Sequence, residues 1–358
     1  MTRTTALALA SILVCGAADA QTTEPAPAPA APAKEKAGKK AKRPKPSIFG
    51  YVQTHYRHSR DTSEDGIVDA PNFRVQRVRL GVKGDVFPWL SYDVEIDPRA
   101  PQVNGILRDA FVAFHFLPGH QLRVGQQKTQ FGYENRESSS ELYVVNRTEL
   151  SDTLSRGVNL RDIGVGLLGH RDLGHGWRLE DAITLVNGAG FNVQADDTRR
   201  KNVWGRLGLR YRDAPADLTV RLGASGATGD EINEGADPLD PEDDFRQDFH
   251  RLGADVQVDH PRFFVSAEYV RGANEDPATG ERDEPHGYYV QAVGKTRWRV
   301  GPLVRFETLN DDFRRWTFGA FYGLPKEAFR VLVNYEFREL RDGGRADDKF
   351  YVWAQVRF

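Results

Sequence analysis

From residue 73 onward the chain reads FRVQRVRLGVKGDV, in which Val78, Leu80 and Val82 alternate with Arg77, Arg79 and Lys83. A period of two is the signature of a strand with one apolar and one polar face. The pattern recurs along the chain with almost no helical-period competitor. In LSYDVEID, Leu90, Tyr92, Val94 and Ile96 oppose Ser91, Asp93, Glu95 and Asp97. In FRVLVNYEF, Phe329, Val331, Val333, Tyr335 and Phe337 oppose Arg330, Asn334, Glu336 and Arg338. The connections decide what such strands build. Seven are short and carry turn residues: FPW at 87–89, LPGH at 117–120, DLGHG at 172–176, DAPAD at 213–217, DHPR at 259–262, TRWRVGP at 296–302 and GLPKEA at 323–328. Eight others, mostly longer and polar, lie near 58–72, 98–105, 130–159, 188–201, 225–248, 272–286, 309–313 and 340–347. The two classes alternate strictly, which gives sixteen strands with both chain ends on the short-turn side.

A soluble sandwich explains the alternation but not this one-sided asymmetry of loop length. Nor does it explain Tyr56, Phe116, Trp177, Trp316, Tyr322, Phe337 and Phe358 near strand ends, where an interfacial girdle places aromatics. The expected fold is therefore all-β, a transmembrane antiparallel β-barrel of sixteen strands with short periplasmic turns and longer outer loops. In lipid no strand edge can stay unpaired, so the sheet must close, and sixteen strands enclose more space than side chains fill. The charged faces are then expected to line water.

The first residues agree with export. Arg3, an apolar run over 6–15 and Ala18-Asp19-Ala20 form a signal peptide expected to end at residue 20. The sole cysteine, Cys15, lies within it; a lipoprotein reading is weakened by Val14, where a small residue belongs. Residues 21–47, Pro/Ala repeats followed by a basic cluster, cannot bury a core and are expected to be a disordered periplasmic spacer. The barrel is expected to occupy 48–358, with 41 basic and 48 acidic residues, a formal charge of −7. Any cationic surface must be local. Only six of those basic residues are Lys; the rest are Arg, suited to bidentate contacts with carboxylate or phosphate.

FRVQRVRLGVKGDV, LRDAFVAFHF (107–116), RVGQQKTQFGYEN (123–135), RDIGVGLLG (161–169), GYYVQAVGKT (287–296) and the terminal VRF together resemble the phosphate-selective porin O/P family of bacterial outer-membrane porins. The resemblance implies a bacterial outer-membrane protein with a sixteen-stranded, commonly trimeric barrel that passes small solutes by diffusion without catalysis or cofactor. It also implies a third outer loop folded inward, and 130–159 is the longest connection. Val352, Ala354, Val356 and Phe358 resemble the C-terminal signal read by the outer-membrane assembly machinery. The positions matching the family's anion-binding cations are Arg77, Arg79, Lys83, Arg123 and Lys128. Alternation alone adds Arg206, Arg210, Arg212 and Arg221, on the phase set by Leu207, Leu209, Val220 and Leu222. Arg136 and Arg147 fall on the expected constriction loop, among Glu134, Glu137, Glu141 and Glu149. Rings of cations favour anion entry, whereas Asp93, Glu95 and Asp97 on the neighbouring strand offer cross-strand partners that would neutralise them. The expected function is a porin for small hydrophilic solutes, with a bias to anions such as phosphate. A non-conducting barrel acting as an enzyme or surface-binding protein through its loops is the alternative. Expected contacts are small anions, outer-membrane lipid and lipopolysaccharide, and two further copies of the chain, with no nucleic acid.

Three motifs point elsewhere and are discounted. GVGLLG at 164–169 matches the dinucleotide fingerprint but sits within a strand with no helix after it. The nine histidines are scattered, so no metal site is expected. The acidic DPLDPEDD at 237–244 reads as a solvated outer loop.

Overall fold

The computed structural model describes residues 45–60, 71–99, 106–154, 161–190, 192–193, 200–233, 245–324, 328–341 and 345–358. The expected signal peptide, most of the spacer and the acidic 237–244 segment lie outside the described residues.

The strands are β1 (Ser47–Arg60), β2 (Asn72–Phe87), β3 (Leu90–Ile96), β4 (Leu107–Phe114), β5 (His120–Lys128), β6 (Arg161–Gly174), β7 (Trp177–Val186), β8 (Asn202–Asp213) and β9 (Leu218–Asn233). They continue as β10 (Phe245–His260), β11 (Phe263–Glu275), β12 (Arg282–Asp283), β13 (His286–Gly294), β14 (Val300–Leu309), β15 (Phe313–Gly323), β16 (Phe329–Leu340) and β17 (Arg345–Arg357). Each wall strand pairs antiparallel with its sequence neighbours, and β1 pairs with both β2 and β17, which closes the sheet. The two-residue β12 only extends β11 within its loop, while β11 pairs directly with β13. Setting β12 aside leaves a sixteen-stranded barrel; six tight turns fall at short connections read from the sequence, and the seventh connection, 323–328, joins β15 to β16 through residues only partly described. One outer connection is shorter than expected, because the β9–β10 ladder runs on to Asn233 and Phe245.

Alternation holds along the wall. On β2 Arg79 is 3% exposed and Leu80 42%; on β17 Trp353 is 2% and Val352 38%. The outer surface accordingly carries exposed Val75, Leu80, Val94, Val112, Val165, Ile183, Leu207, Leu222, Leu252, Val290 and Val352. That face would be untenable in water and is what a bilayer requires. Among the described residues no helix is long and apolar enough to cross a membrane.

The interior departs from the expectation that charged faces simply line water. The segment after β5 folds into the barrel and brings a core with it. Phe131, Leu150 and Leu154 are at most 2% exposed and pack with Val186, Trp204, Phe249, Val270, Tyr289 and Phe313 of the wall. Leu142 and Val144 meet Phe264, Val293 and Leu303, and Val145 meets Leu332, Tyr351 and Trp353. Each fully buried large apolar side chain favours this docking by about 2 kcal/mol. Ten of the sixteen wall strands, from β7 round to β17, are thus in contact with the loop, and the open passage runs along the other six.

The glycines of 164–169 belong to the wall. A Cβ on Gly164 would stand 2.2 Å from the Leu185 carbonyl oxygen, and one on Gly169 would stand 2.2 Å from the His120 ring. Close strand approach accounts for them, and β6 continues to Gly174 where a nucleotide site needs a helix.

Candidate functional site

The inward loop enters the lumen through three successive backbone N–H groups. Gly132 N–H donates to Ser225 Oγ at 3.0 Å, and the N–H groups of Tyr133 and Glu134 both donate to Glu268 Oε2, at 3.1 and 3.0 Å. Gly132 is required there: its φ is +63°, and a Cβ would lie 2.0 Å from Glu268 Oε1. Glu134 then ties the loop to itself, accepting from Thr148 N–H, Thr148 Oγ1 and Ser151 Oγ. The short helix α1 (Glu149–Leu154) closes the segment, with the Glu149 carboxylate held by Arg315 at 3.1 Å and Arg338 at 2.9 Å. Further along the wall Arg330 and Gln355 both donate to the Ser140 carbonyl. On α1, burial foremost and the nearby Glu134 charge next push the Asp152 carboxyl up to about 6.

Between this loop and the wall of β1–β6 lies a cavity of about 370 Å³, lined by Arg79, Asp93, Glu95, Asp109, Arg123, Lys128, Arg136, Arg147 and Arg161, with Tyr51 and Phe111. Six cations face three carboxylates, a formal excess of three positive charges. Five of the eleven residues singled out in the sequence, Arg79, Arg123, Lys128, Arg136 and Arg147, meet here.

They are held differently. Arg79 is paired with Glu95 at 2.7 Å and Asp97 at 3.0 Å, so the cross-strand partners flagged in the sequence do neutralise it. The Arg123 guanidinium lies over the Phe111 ring, 4.5 Å from its centroid, and Arg136 donates to Gln130 Oε1. Arg147 donates to the Glu134 and Glu137 carbonyls and to Ser139 Oγ. Lys128 Nζ donates to the carbonyls of Asn135, Arg136 and Glu137 at 2.8–3.2 Å, so all three of its protons are committed to the loop. Among the described residues none of Arg123, Lys128, Arg136 and Arg147 lies in ion-pair contact with a carboxylate. Carboxylates act on them only through space, Asp93 and Asp109 on Arg123 and Glu134 and Asp152 on Arg147.

The remaining candidates lie around this point. Arg77 donates to Gln53 Oε1 just beyond the cavity. Arg206 faces a neighbouring pocket shared with Arg136, but Asp255 clamps it at 2.5 and 3.0 Å. Lys83 and Arg123 line a further cavity toward the short-turn end. Arg210 and Arg221 stand opposite each other on β8 and β9, and Arg212 is exposed at the strand end; none of the three lines the cavity, though Arg221 acts through space on Tyr133 and Glu137 of the loop.

Two arginines were missed. Arg161 bonds Asp109 at 2.7 Å and approaches Glu95 at 3.6 Å, and Arg108 approaches Asp97 at 3.9 Å. Arg108 is skipped at the β3–β4 register shift, and Arg161 follows the loop, so simple alternation places neither. The Arg-Asp dipeptides in LRDA and RDIG were the available signal.

The profile of the family described as phosphate-selective porin O and P matches residues 51–294. The chain belongs to this family. It is an outer-membrane porin, a channel rather than an enzyme. No curated protein sequence matches it. Among solved structures it is similar to an anion-selective porin from Comamonas acidovorans, with TM-score 0.61, 13% identity and coverage of 88% of this chain and 99% of that one. It is also similar to OmpT of Vibrio cholerae (TM-score 0.58, 11% identity, 87% and 97% covered) and to the outer membrane channel DcaP of Acinetobacter baumannii (0.56, 14%, 87% and 97%). At these identities the likeness is one of fold.

Proposed function

We propose that this porin is an anion-selective diffusion pore, with small anions such as phosphate among its solutes, whose selectivity is set where the inward loop faces β1–β6. The observation that carries this reading is the excess of six cations over three carboxylates around the narrowing. An anion leaving bulk water loses hydration there. Arg123, Arg136 and Arg147 offset that loss, while spreading it over several guanidinium groups keeps each contact weak enough for release. Arg77 and Lys83 extend the favourable potential to either side, and Arg210, Arg212 and Arg221 draw anions toward the periplasmic mouth. Arg79 and Arg206 act mainly as wall structure. Around the pore we further infer a homotrimer delivered by a signal over 1–20, with 21–47 as a periplasmic spacer and the C-terminal Val352, Ala354, Val356 and Phe358 read during assembly.

The test is the reversal potential of the Arg123→Gln and Arg136→Gln variants under a KCl gradient. Each should lower the chloride-to-potassium permeability ratio by about fivefold, the Boltzmann weight of ~1 kcal/mol per partly screened charge. An unchanged ratio in both would refute the assignment.

A further inference from the structure

A second chamber adjoins the narrowing on the side of β6–β8. It holds about 270 Å³ and is lined by Arg136, Leu168, His170, Glu180, Ala182 and Arg206, of which Arg136 and Leu168 also line the first. Alternation puts Glu180 and Ala182 on the inner face of β7, since Ile183 and Leu185 are exposed on the outer one. The charges around Glu180 are spent elsewhere. Arg206 is clamped by Asp255, Arg178 donates twice to the Asp172 carboxylate, and Asp181, on the outer face, holds the His120 ring at 3.1 Å. Glu180 itself is half-buried, and among the described residues no donor lies in hydrogen-bond or ion-pair contact with its carboxylate; Arg136, Arg178 and Arg210 reach it only through space. Arg136 commits its Nε–H to Gln130 Oε1 and, among the described residues, meets no carboxylate.

A guanidinium without a carboxylate and a carboxylate without a cation thus border one chamber. Glu180 repels a plain anion there and Arg136 repels a plain cation, whereas a molecule carrying both charges satisfies both. Resting on the anion reading above, the geometry points to a finer solute class: small zwitterions in which a phosphate is joined to a primary ammonium group by a short chain. The phosphate engages the Arg136 fork at the narrowing, and the ammonium, a compact donor of three protons, is received by Glu180. Such a solute sheds water at both ends on entering and finds a partner for each. Glu180 is then the residue that distinguishes it from a phosphate carrying an uncharged tail.

The measurement is block of the chloride current through the full-length protein in a planar bilayer at pH 7.5, by phosphoethanolamine and by ethyl phosphate, which has the same phosphate and no ammonium. By net charge alone ethyl phosphate, the more negative of the two, should block better. The ammonium site predicts the reverse: phosphoethanolamine should half-block wild type at a concentration about fivefold lower, the weight of one partly exposed ion pair. Glu180→Gln should bring the two concentrations together, whatever common shift the lost charge gives both. Heat-modifiable gel mobility reports folding, and if that variant does not fold, Glu180→Asp, which withdraws the carboxylate by one methylene, is read for a smaller loss in the same direction. A preference that survives in the folded variant overturns the role of Glu180. Block of wild type by ethyl phosphate at an equal or lower concentration overturns the ammonium site while leaving the anion reading in place. Block by neither, with a reversal potential on the potassium side, removes the anion reading and this inference with it.

Discussion

Arg79 and Arg123 both line the narrowing, yet they should respond oppositely to removal of their charge. Arg79 is 3% exposed and bridges Glu95 and Asp97, so Arg79→Gln removes the shortest ion pair of each, leaving Glu95 with Arg161 at 3.6 Å and Asp97 with Arg108 at 3.9 Å. Breaking a fully buried pair on one side costs about 3 kcal/mol or more, and the remaining partners lower that here to about 1–2 kcal/mol. That variant should lose heat-resistant gel mobility at a lower temperature than wild type. Arg123→Gln breaks no direct ion pair, removing a cation that lies over the Phe111 ring and acts through space on Asp93 and Asp109, and should stay much closer to wild-type thermal behaviour than Arg79→Gln while losing anion preference. Arg161→Gln, which abandons Asp109, belongs with Arg79. The sequence placed these side chains on the correct face but could not rank them, because a partner such as Asp255 for Arg206 lies 49 residues away and is found only through the sheet register. Lys128 shows the same limit. Its motif marks it as a pore cation, and the fold turns its ammonium onto three loop carbonyls.

The inward loop is the element on which the narrowing depends, and two features make it testable. Gly132→Ala meets both a left-handed backbone, costing about 1 kcal/mol, and the Glu268 carboxylate. The loop entry should loosen, and single-channel conductance should rise and become noisier; a conductance equal to wild type would show that the entry geometry is not needed. Asp152 gives a pH dependence. Its folded value of about 6 lies above its ordinary 3.8, so the folded loop binds the proton more tightly than the unfolded chain does. The associated stability is fully present below about 4 and is lost as pH rises through 6. Loop cleavage by an added protease should therefore be slower at pH 5 than at pH 7.5, with Asp152→Asn removing the difference. The loop's length was legible in the sequence, as was its inward fold through the family resemblance. Its anchors were not: Asn334, which accepts from Val145 N–H, and Arg338 read as ordinary polar-face residues of one strand, Ser225 fell in the expected outer connection 225–248, and Glu268 carried no signal.

At the scale of the whole molecule, the sixteen strands, closed sheet and polarity of turns and loops were almost fully legible. They follow from a period of two and from turn residues, which are local. What the sequence hid was the division of the interior. Trp204, Phe249, Tyr289 and Trp353 sit at inward positions and are at most 2% exposed, because the loop covers them. Large apolar residues on the supposed wet phase were the unread sign that the loop fills part of the lumen. The central claim is that the passage left open prefers anions. Single-channel recording of the folded protein in a planar bilayer under a KCl gradient tests it most directly, followed by titration of the chloride current with phosphate. The account predicts stable conductance, a reversal potential on the chloride side of zero, and a current that phosphate reduces. A reversal potential on the potassium side, carried by well-folded protein, would contradict it.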